Sequence, residues 1–215
     1  VYPPFLSAPG HSRRNLIKVP LLEKNNRWQI DFNRLEDAIT KKTRLFILCT
    51  PYNPVGRVLT REELSTLAAI CNQHNIVICS DEIHCDLILD SDKYHVPTAT
   101  LDSETASRTI TLMAPSKTFN LPGLGCAFAV ISDANLRQQF KNAMAGIVPM
   151  VNALGYIAAK AAFEECADWH EALLEYLRGN RDVIRHALQC MPHLSMAKVE
   201  ATYLAWIDIR AIDLK

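Results

Sequence analysis

Residues 44–50 are Arg44-Leu45-Phe46-Ile47-Leu48-Cys49-Thr50, a nearly continuous apolar run that decides the fold. A short run without polar alternation predicts a strand that is covered on both faces of a sheet. Similar runs follow at residues 76–80, 109–114 and 125–131, and residues 17–22 are a shorter strand candidate. The sequence therefore predicts several buried strands.

Helical patterns separate these strands. Asp31 is a candidate N-cap for a helix that runs to about residue 39. Thr60 and Glu63 have the spacing of a capping box, which predicts a helix to about residue 74. Strands that alternate with helices predict an α/β fold, a three-layer α/β/α sandwich around a mostly parallel sheet.

From Asp133 onward the pattern is mainly helical. Pro149 suits the first turn of a helix to about residue 163, and Asp168 is a candidate cap for a longer helix to about residue 190. An apolar stripe with helical spacing passes through Leu154 and Ile157, which predicts core packing or a dimer contact.

The C-terminal part of the sequence predicts a second domain. Two strand patterns, at residues 194–199 and 203–209, follow the longest helical pattern. We interpret residues 1–175 as a large domain, and residues 176–215 as the end of the long helix and the start of a small α+β domain. The chain opens inside a turn pattern without a Met, so we expect both domains to be truncated.

Composition limits the classes of function. The 215 residues include 23 acidic and 23 basic side chains, which gives no basic footprint for nucleic acid. No apolar stretch is long enough to predict a transmembrane helix. The seven cysteines and seven histidines lack the spacing of a metal site, so no metal is predicted. Free buried thiols are typical of a reducing, cytoplasmic compartment.

Polar clusters follow three consecutive predicted strands, at residues 50–56, 80–84 and 114–120. Ligands of an open parallel sheet bind outside the carboxyl ends of its strands, so these clusters are expected to converge on one pocket. The third cluster contains Lys117. A lysine in such a position is either a solvated surface residue or, if shielded from water, a nucleophilic amine.

The order of the motifs resembles a known family. Asn53-Pro54-x-Gly56 precedes Asp81-Glu82-x-His84 by about 30 residues, and Ser116-Lys117 follows after about 35 more. This order is similar to that of the fold-type-I pyridoxal-phosphate (PLP) enzymes of the class I/II aminotransferase superfamily. The fuller motifs, SDEIH at residues 80–84 and APSKTFN at residues 114–120, resemble its cystathionine β-lyase-like C–S lyase branch.

The resemblance implies roles for the polar residues of these motifs. Lys117 would form the Schiff base with PLP and then shuttle protons. Asp81 would pair with the pyridine nitrogen of the cofactor, and a charge-assisted hydrogen bond there keeps the ring protonated. Asn53 would donate to the 3-oxygen of the ring, and His84 stands where typical aminotransferases place a Tyr on the same oxygen. Asn53–Pro54 is also a candidate cis peptide bond.

Three further cofactor contacts are implied. Ser116 resembles a contact to the cofactor phosphate, and Ile83 would pack on one face of the ring. Tyr2 stands where the family places the aromatic side chain that stacks on the other face. The alternative for Tyr2 is a turn aromatic that is partly buried beside Pro3 and Pro4.

Two positions depart from the aminotransferase pattern. Gly125 occupies the position eight residues after the lysine, where aminotransferases usually carry an Arg for the phosphate. Ala114 stands where many relatives have Ser or Gly. Both departures are also found in the lyase branch, so they favour a lyase.

The resemblance implies a cytoplasmic homodimer that binds an amino acid. The expected reaction is the α,β-elimination of cysteine S-conjugates such as cystathionine to pyruvate, ammonia and a thiol. A class I/II aminotransferase is the alternative within the same cofactor class. A non-enzymatic regulator that retains the fold is the second alternative.

Overall fold

The apolar runs of the sequence become strands in the computed structural model, which describes residues 1–212. Besides two 3₁₀ turns, at Thr98–Thr100 and Pro122–Leu124, these residues contain seven α-helices and eight strands. In chain order they are α1 (Pro4–His11), β1 (Leu22–Lys24), β2 (Arg27–Gln29), α2 (Phe32–Ala38), β3 (Leu45–Cys49), α3 (Arg61–Gln73), β4 (Val77–Asp81), α4 (Ser103–Ser107), β5 (Thr109–Met113), β6 (Phe128–Val130), α5 (Ala134–Met144), α6 (Ala153–Glu165), α7 (Ala167–Gln189), β7 (Ser195–Met196) and β8 (Ile207–Asp208).

The central sheet has the order β3-β4-β5-β6. The first three strands are parallel, and β6 joins the sheet antiparallel to β5. In the register of the sheet, Cys49 lies opposite Asp81, and Asp81 lies opposite Leu112. The predicted α/β fold with a mostly parallel sheet is therefore confirmed. The carboxyl ends of β3, β4 and β5 lie side by side.

Helix α3 forms the main contact of the core with this sheet. Its Leu64 and Leu67 are fully buried in one cluster with Leu48 of β3 and Ile78 of β4. Burial of each such side chain is worth roughly 1.5–3 kcal/mol. The predicted capping box at the start of α3 is present, because the Thr60 hydroxyl accepts a hydrogen bond from the Glu63 amide and the Glu63 carboxylate accepts one from the Thr60 amide.

Burial increases along β3 toward the site. Leu45 is 49 % exposed, whereas Leu48 and Cys49 are each 2 % exposed. The prediction of a strand covered on both faces thus holds only for the carboxyl end. The physical reason is that Leu48 packs in the buried cluster with α3, whereas Leu45 lies outside that cluster.

Several predicted boundaries are wrong. Only Leu22 of the strand candidate at residues 17–22 belongs to a strand. Pro149 precedes α6, which is instead capped by Asn152, whose side chain accepts a hydrogen bond from the Gly155 amide at 2.8 Å. Asp168 lies inside the first turn of α7, where the helix dipole favours a carboxylate, and does not cap the helix. The Asp31 cap is confirmed.

The two C-terminal strands exist but are shorter than predicted. Strands β7 and β8 have two residues each and pair antiparallel. Helix α7 runs through residue 175, where we placed the domain boundary, so that boundary stays a prediction. Residues 213–215 of the predicted small domain lie outside the described residues. None of the helices within residues 1–212 combines the length and apolar character needed to cross a membrane.

Candidate active site

The loop after β3 folds back on itself to present Asn53. Both Thr50–Pro51 and Asn53–Pro54 are cis peptide bonds, so the expected cis bond at Asn53 is confirmed. The Asn53 amide donates a hydrogen bond to the Sγ atom of Cys49 at 3.4 Å. The Gly56 amide donates to the carbonyl oxygen of Tyr52 at 2.8 Å. These contacts hold the turn beside the carboxyl end of β3.

A distant segment of the chain closes over this turn. The Gly56 carbonyl oxygen accepts hydrogen bonds from the amides of Glu200, at 2.7 Å, and Ala201, at 2.8 Å. The buried Glu200 carboxylate accepts a hydrogen bond from the Val58 amide at 2.8 Å. Sequence reasoning missed this contact because no local pattern marks a partner so far along the chain.

Asp81 ends β4 and lies at the centre of the strand edge. Its Oδ1 atom accepts a hydrogen bond from the Ile83 amide at 3.1 Å, and its carbonyl oxygen accepts one from the Thr50 amide at 3.0 Å. Burial raises the pKa of the Asp81 carboxyl above its usual value, while the charge of Lys117 acts in the opposite direction. Lys117 is therefore within electrostatic reach of Asp81.

His84 is buried behind Asp81, with 2 % of its surface exposed. Burial, and to a smaller extent the charge of Lys117, lower the pKa of His84 to about 4, so the imidazole is neutral at physiological pH. Its ring lies edge-on to Tyr203, with 5.6 Å between the centroids. The buried Nδ1 atom has no hydrogen-bond partner among residues 1–212. A buried polar atom of this kind is suited to a bound group.

The pKa of His84 predicts a pH dependence of stability. A histidine whose pKa falls from 6.5 to about 4 on folding binds its proton more weakly in the folded state. Its contribution to the free energy of unfolding is therefore present above pH 6.5 and is lost as the pH falls toward 4. We expect a loss of at most about 1.4 kcal/mol per pH unit from this proton.

The measurement is chemical denaturation of the cofactor-free protein between pH 4 and pH 7. His84→Gln is expected to make the loss of stability toward acid shallower. His193→Gln removes an exposed histidine and serves as the control, which should keep the wild-type slope. An unchanged slope in His84→Gln would contradict the burial effect.

Lys117 lies in a series of hydrogen-bonded turns that begins shortly after β5. The Phe119 amide donates to the Pro115 carbonyl oxygen at 2.9 Å, and the Leu121 amide donates to the Ser116 carbonyl oxygen at 3.1 Å. Next to the lysine, the buried Thr118 hydroxyl donates to Asp86 Oδ2 at 3.4 Å. This bond joins the lysine turn to the segment that carries Asp81 and His84.

An aromatic cluster anchors the same turn. The Phe119 ring lies 5.6 Å from the ring of Phe163 on α6, and 6.3 Å and 5.9 Å from the rings of Trp169 and His170 on α7. Contacts of this type contribute about 0.5–1.5 kcal/mol each beyond the burial of area. The position of Lys117 is thus set by two helices as well as by the sheet.

Some of the predicted cofactor-binding residues lie together in the structure, and others do not. The charge of Lys117 lowers the pKa values of Asp81 and His84, and Ile83 is half-buried next to Asp81. Tyr2 is exposed, and its ring lies edge-on to Phe5 with 5.8 Å between the centroids.

All seven cysteines, which lie within the described residues, are free. Within residues 1–212, no group of three His, Cys, Asp or Glu side chains is arranged to hold a metal ion.

The fold and this site define a class of protein, an α/β protein with a lysine and a carboxylate at the carboxyl edge of a mostly parallel sheet. Comparison with known proteins gives the family. Residues 1–214 match the family model described as aminotransferase class I and II. The chain therefore belongs to this family, and the resemblance found in the sequence is confirmed.

Similar proteins support the same assignment. The chain is 37 % identical to cystathionine beta-lyase PatB of Bacillus subtilis (strain 168), with 100 % of the chain and 56 % of that protein covered. It resembles the crystal structure of OvoB with a TM-score of 0.95 and 42 % identity, covering 98 % of this chain and 56 % of that one.

A third similar protein is cystalysin from Treponema denticola, whose crystal structure contains a pyridoxal 5'-phosphate cofactor. The TM-score is 0.94 at 34 % identity, and 98 % of this chain and 54 % of that one are covered. The chain thus spans little more than half the length of the relatives it matches.

Proposed function

We propose that the whole protein containing this chain is a PLP-dependent carbon–sulfur lyase that cleaves cysteine S-conjugates such as cystathionine. The observation that carries this proposal is that Asp81 ends β4 while Lys117 follows β5, the parallel strand beside it, at the carboxyl edge of the sheet. Relatives named as cystathionine beta-lyases, and solved structures of PLP-bound C–S lyases, support the choice of reaction.

The residues of the site fit PLP. A protonated pyridine nitrogen beside Asp81 would form a charge-assisted hydrogen bond, which offsets the burial of that carboxylate. The unpartnered Nδ1 atom of the neutral His84 offers a hydrogen-bonding group to a ring oxygen. We assign Asn53 to that oxygen and Ser116 to the cofactor phosphate because their motifs resemble those of the family.

Two apolar contacts complete the proposed cofactor site. Ile83 follows Asp81 directly and is half-buried, so it is placed to pack on one face of the ring. Tyr2 is assigned to the other face because its position resembles that of the aromatic residue that stacks on the ring in the family. Stacking by Tyr2 requires its exposed ring to leave the contact with Phe5.

The proposed reaction uses these residues in order. PLP, when bound, supplies an electron sink for the carbanion at the α-carbon of the substrate. Lys117 would hold the cofactor covalently, and its amine, when free, would take the α-proton of the substrate. Asp81 would pair as a carboxylate with the ring nitrogen and so support the electron sink. Overall, one cysteine conjugate and one water give a thiol, pyruvate and ammonia.

Gly125 favours a lyase over an aminotransferase. This residue stands where aminotransferases usually carry the phosphate-binding Arg, and its φ of +58° is in the left-handed region. Glycine enters that region without the steric penalty that an Arg meets there. The backbone at this position is thus shaped for glycine, as in the lyase pattern.

The test is product analysis with the whole protein, PLP and cystathionine. A lyase is expected to release pyruvate and a free thiol at equal rates without any amino acceptor. An aminotransferase would form a keto acid only when a second keto acid is supplied. Turnover that depends on the acceptor would overturn the lyase proposal and support the alternative.

We also propose that the whole protein is a homodimer of the cytoplasm. Leu154 and Ile157 of the predicted apolar stripe are 67 % and 65 % exposed, so they are not core within the described residues. Large exposed apolar side chains on one helix support a contact with a second copy. The free thiols support a reducing compartment.

A further inference from the structure

A buried carboxylate stands next to Asp81 and has no part in the reaction proposed above. Glu82 is fully buried. Side chains alternate between the two faces along a strand, so the side chains of Ser80 and Glu82 point to the face opposite that of Asp81. Asp81 interacts with Lys117, while Ser80 and Glu82 contact the segment of residues 95–98.

Both oxygens of the Glu82 carboxylate are satisfied. Oε1 accepts hydrogen bonds from the Ser80 hydroxyl at 2.8 Å and from the Thr98 amide at 3.0 Å. Oε2 lies 2.7 Å from Nε2 of His95. A carboxylate without such partners is costly to bury, so this arrangement tolerates little displacement of the strand end.

The contacts of Glu82 also hold the residues on either side of it in the chain. Glu82 lies between Asp81 and His84, two residues whose pKa values the charge of Lys117 lowers. Its amide also donates to the Leu112 carbonyl oxygen at 3.0 Å, which ties it to β5. The Glu82 charge further contributes, after burial, to the raised pKa of Asp81, so the two carboxylates interact.

We propose that Glu82, held by His95 and Thr98, is a positioning residue that fixes the end of β4 so that the Asp81 carboxylate stays directed toward the ring nitrogen of PLP. This inference rests on the proposed function, because it assigns Asp81 to the cofactor. Glu82 acts through Asp81 and does not contact the reacting atoms.

The test is a double-mutant cycle in the whole protein. Glu82→Gln, Asp81→Asn and the double variant are compared with wild type for the dissociation constant of PLP and for the free energy of unfolding without PLP. Glu82→Gln is expected to weaken PLP binding about tenfold when Asp81 is present, and less than about twofold in the Asp81→Asn background. Glu82→Gln should shift the absorbance of bound PLP when Asp81 is present, and should leave it unchanged in the Asp81→Asn background.

Two further variants keep the test decisive. His95→Asn removes the contact to Glu82 Oε2 and replaces Glu82→Gln if the latter does not fold. Asn72→Ala removes a hydrogen bond of 3.3 Å to Thr105, away from the site, and should lower stability without changing PLP binding.

The outcomes separate the two proposals. Equal weakening of PLP binding in both Asp81 backgrounds would show a general structural role for Glu82 and overturn the inference. If Asp81→Asn weakens PLP binding but Glu82→Gln and His95→Asn do not, the inference alone fails. If Asp81→Asn leaves PLP binding unchanged, the assignment of Asp81 fails, and the inference fails with it.

Discussion

Replacing Lys117 with alanine in the whole protein is expected to abolish covalent binding of PLP and to lower turnover by about 10³-fold or more. The proposed reaction uses one amine both to hold the cofactor and to move the α-proton, so one substitution removes two functions. The measurement is absorbance of the protein with PLP, followed by borohydride reduction and peptide mass analysis to locate the modified lysine.

Two further variants test whether the loss of covalent PLP binding is caused by the missing amine of Lys117. Lys117→Arg keeps a positive charge near Asp81 and His84 but lacks a nucleophilic amine, so it should also lose covalent binding. Lys141→Ala removes an exposed lysine of α5 and should behave as wild type. A Lys117→Ala protein whose PLP is still fixed by borohydride would refute the assignment of this lysine.

The largest loss of stability is expected from Gly56→Ala, about 3 kcal/mol. A Cβ atom at Gly56 would lie 2.6 Å from the Ala201 carbonyl oxygen and 2.7 Å from Cγ1 of Val199. The φ of +66° adds the steric penalty of the left-handed region for alanine. The measurement is denaturant unfolding of the cofactor-free protein.

Gly179→Ala is the matched control. Gly179 lies inside α7 with open space around the position of a Cβ atom, so alanine there should raise the free energy of unfolding by about 0.5–1 kcal/mol. The two substitutions are therefore expected to change the free energy of unfolding in opposite directions. A Gly56→Ala protein as stable as wild type would contradict the close approach of residues 199–201.

The strands and most caps could be predicted because their signals are local. The apolar run of β3 and the Thr60–Glu63 capping box each lie within a few residues of the element they define. The predicted start of α6 was wrong because two residues close together in the sequence, Pro149 and Asn152, both indicate the start of a helix. Pro149 suits a first turn, but the Asn152 side chain accepts the hydrogen bond that begins the helix.

The part of the candidate site that depends on the order of the strands could be predicted from the sequence. Asp81 ends β4 and Lys117 follows β5, its parallel neighbour, so their proximity follows from the topology of the sheet. The contact of Tyr203 with His84, and that of Glu200 with the Gly56 turn, join residues more than 100 positions apart. No periodicity or motif in either segment encodes such a pairing.

The contact between Gly56 and Ala201 also has a consequence for synthesis of the protein. The ribosome adds 145 residues after Gly56, of which Ala201 is the last (201 − 56). At usual elongation rates this takes on the order of ten seconds, during which the turn that presents Asn53 lacks its backbone partners on the nascent chain. The capture of PLP by a complete site is therefore expected only after translation has passed the end of α7.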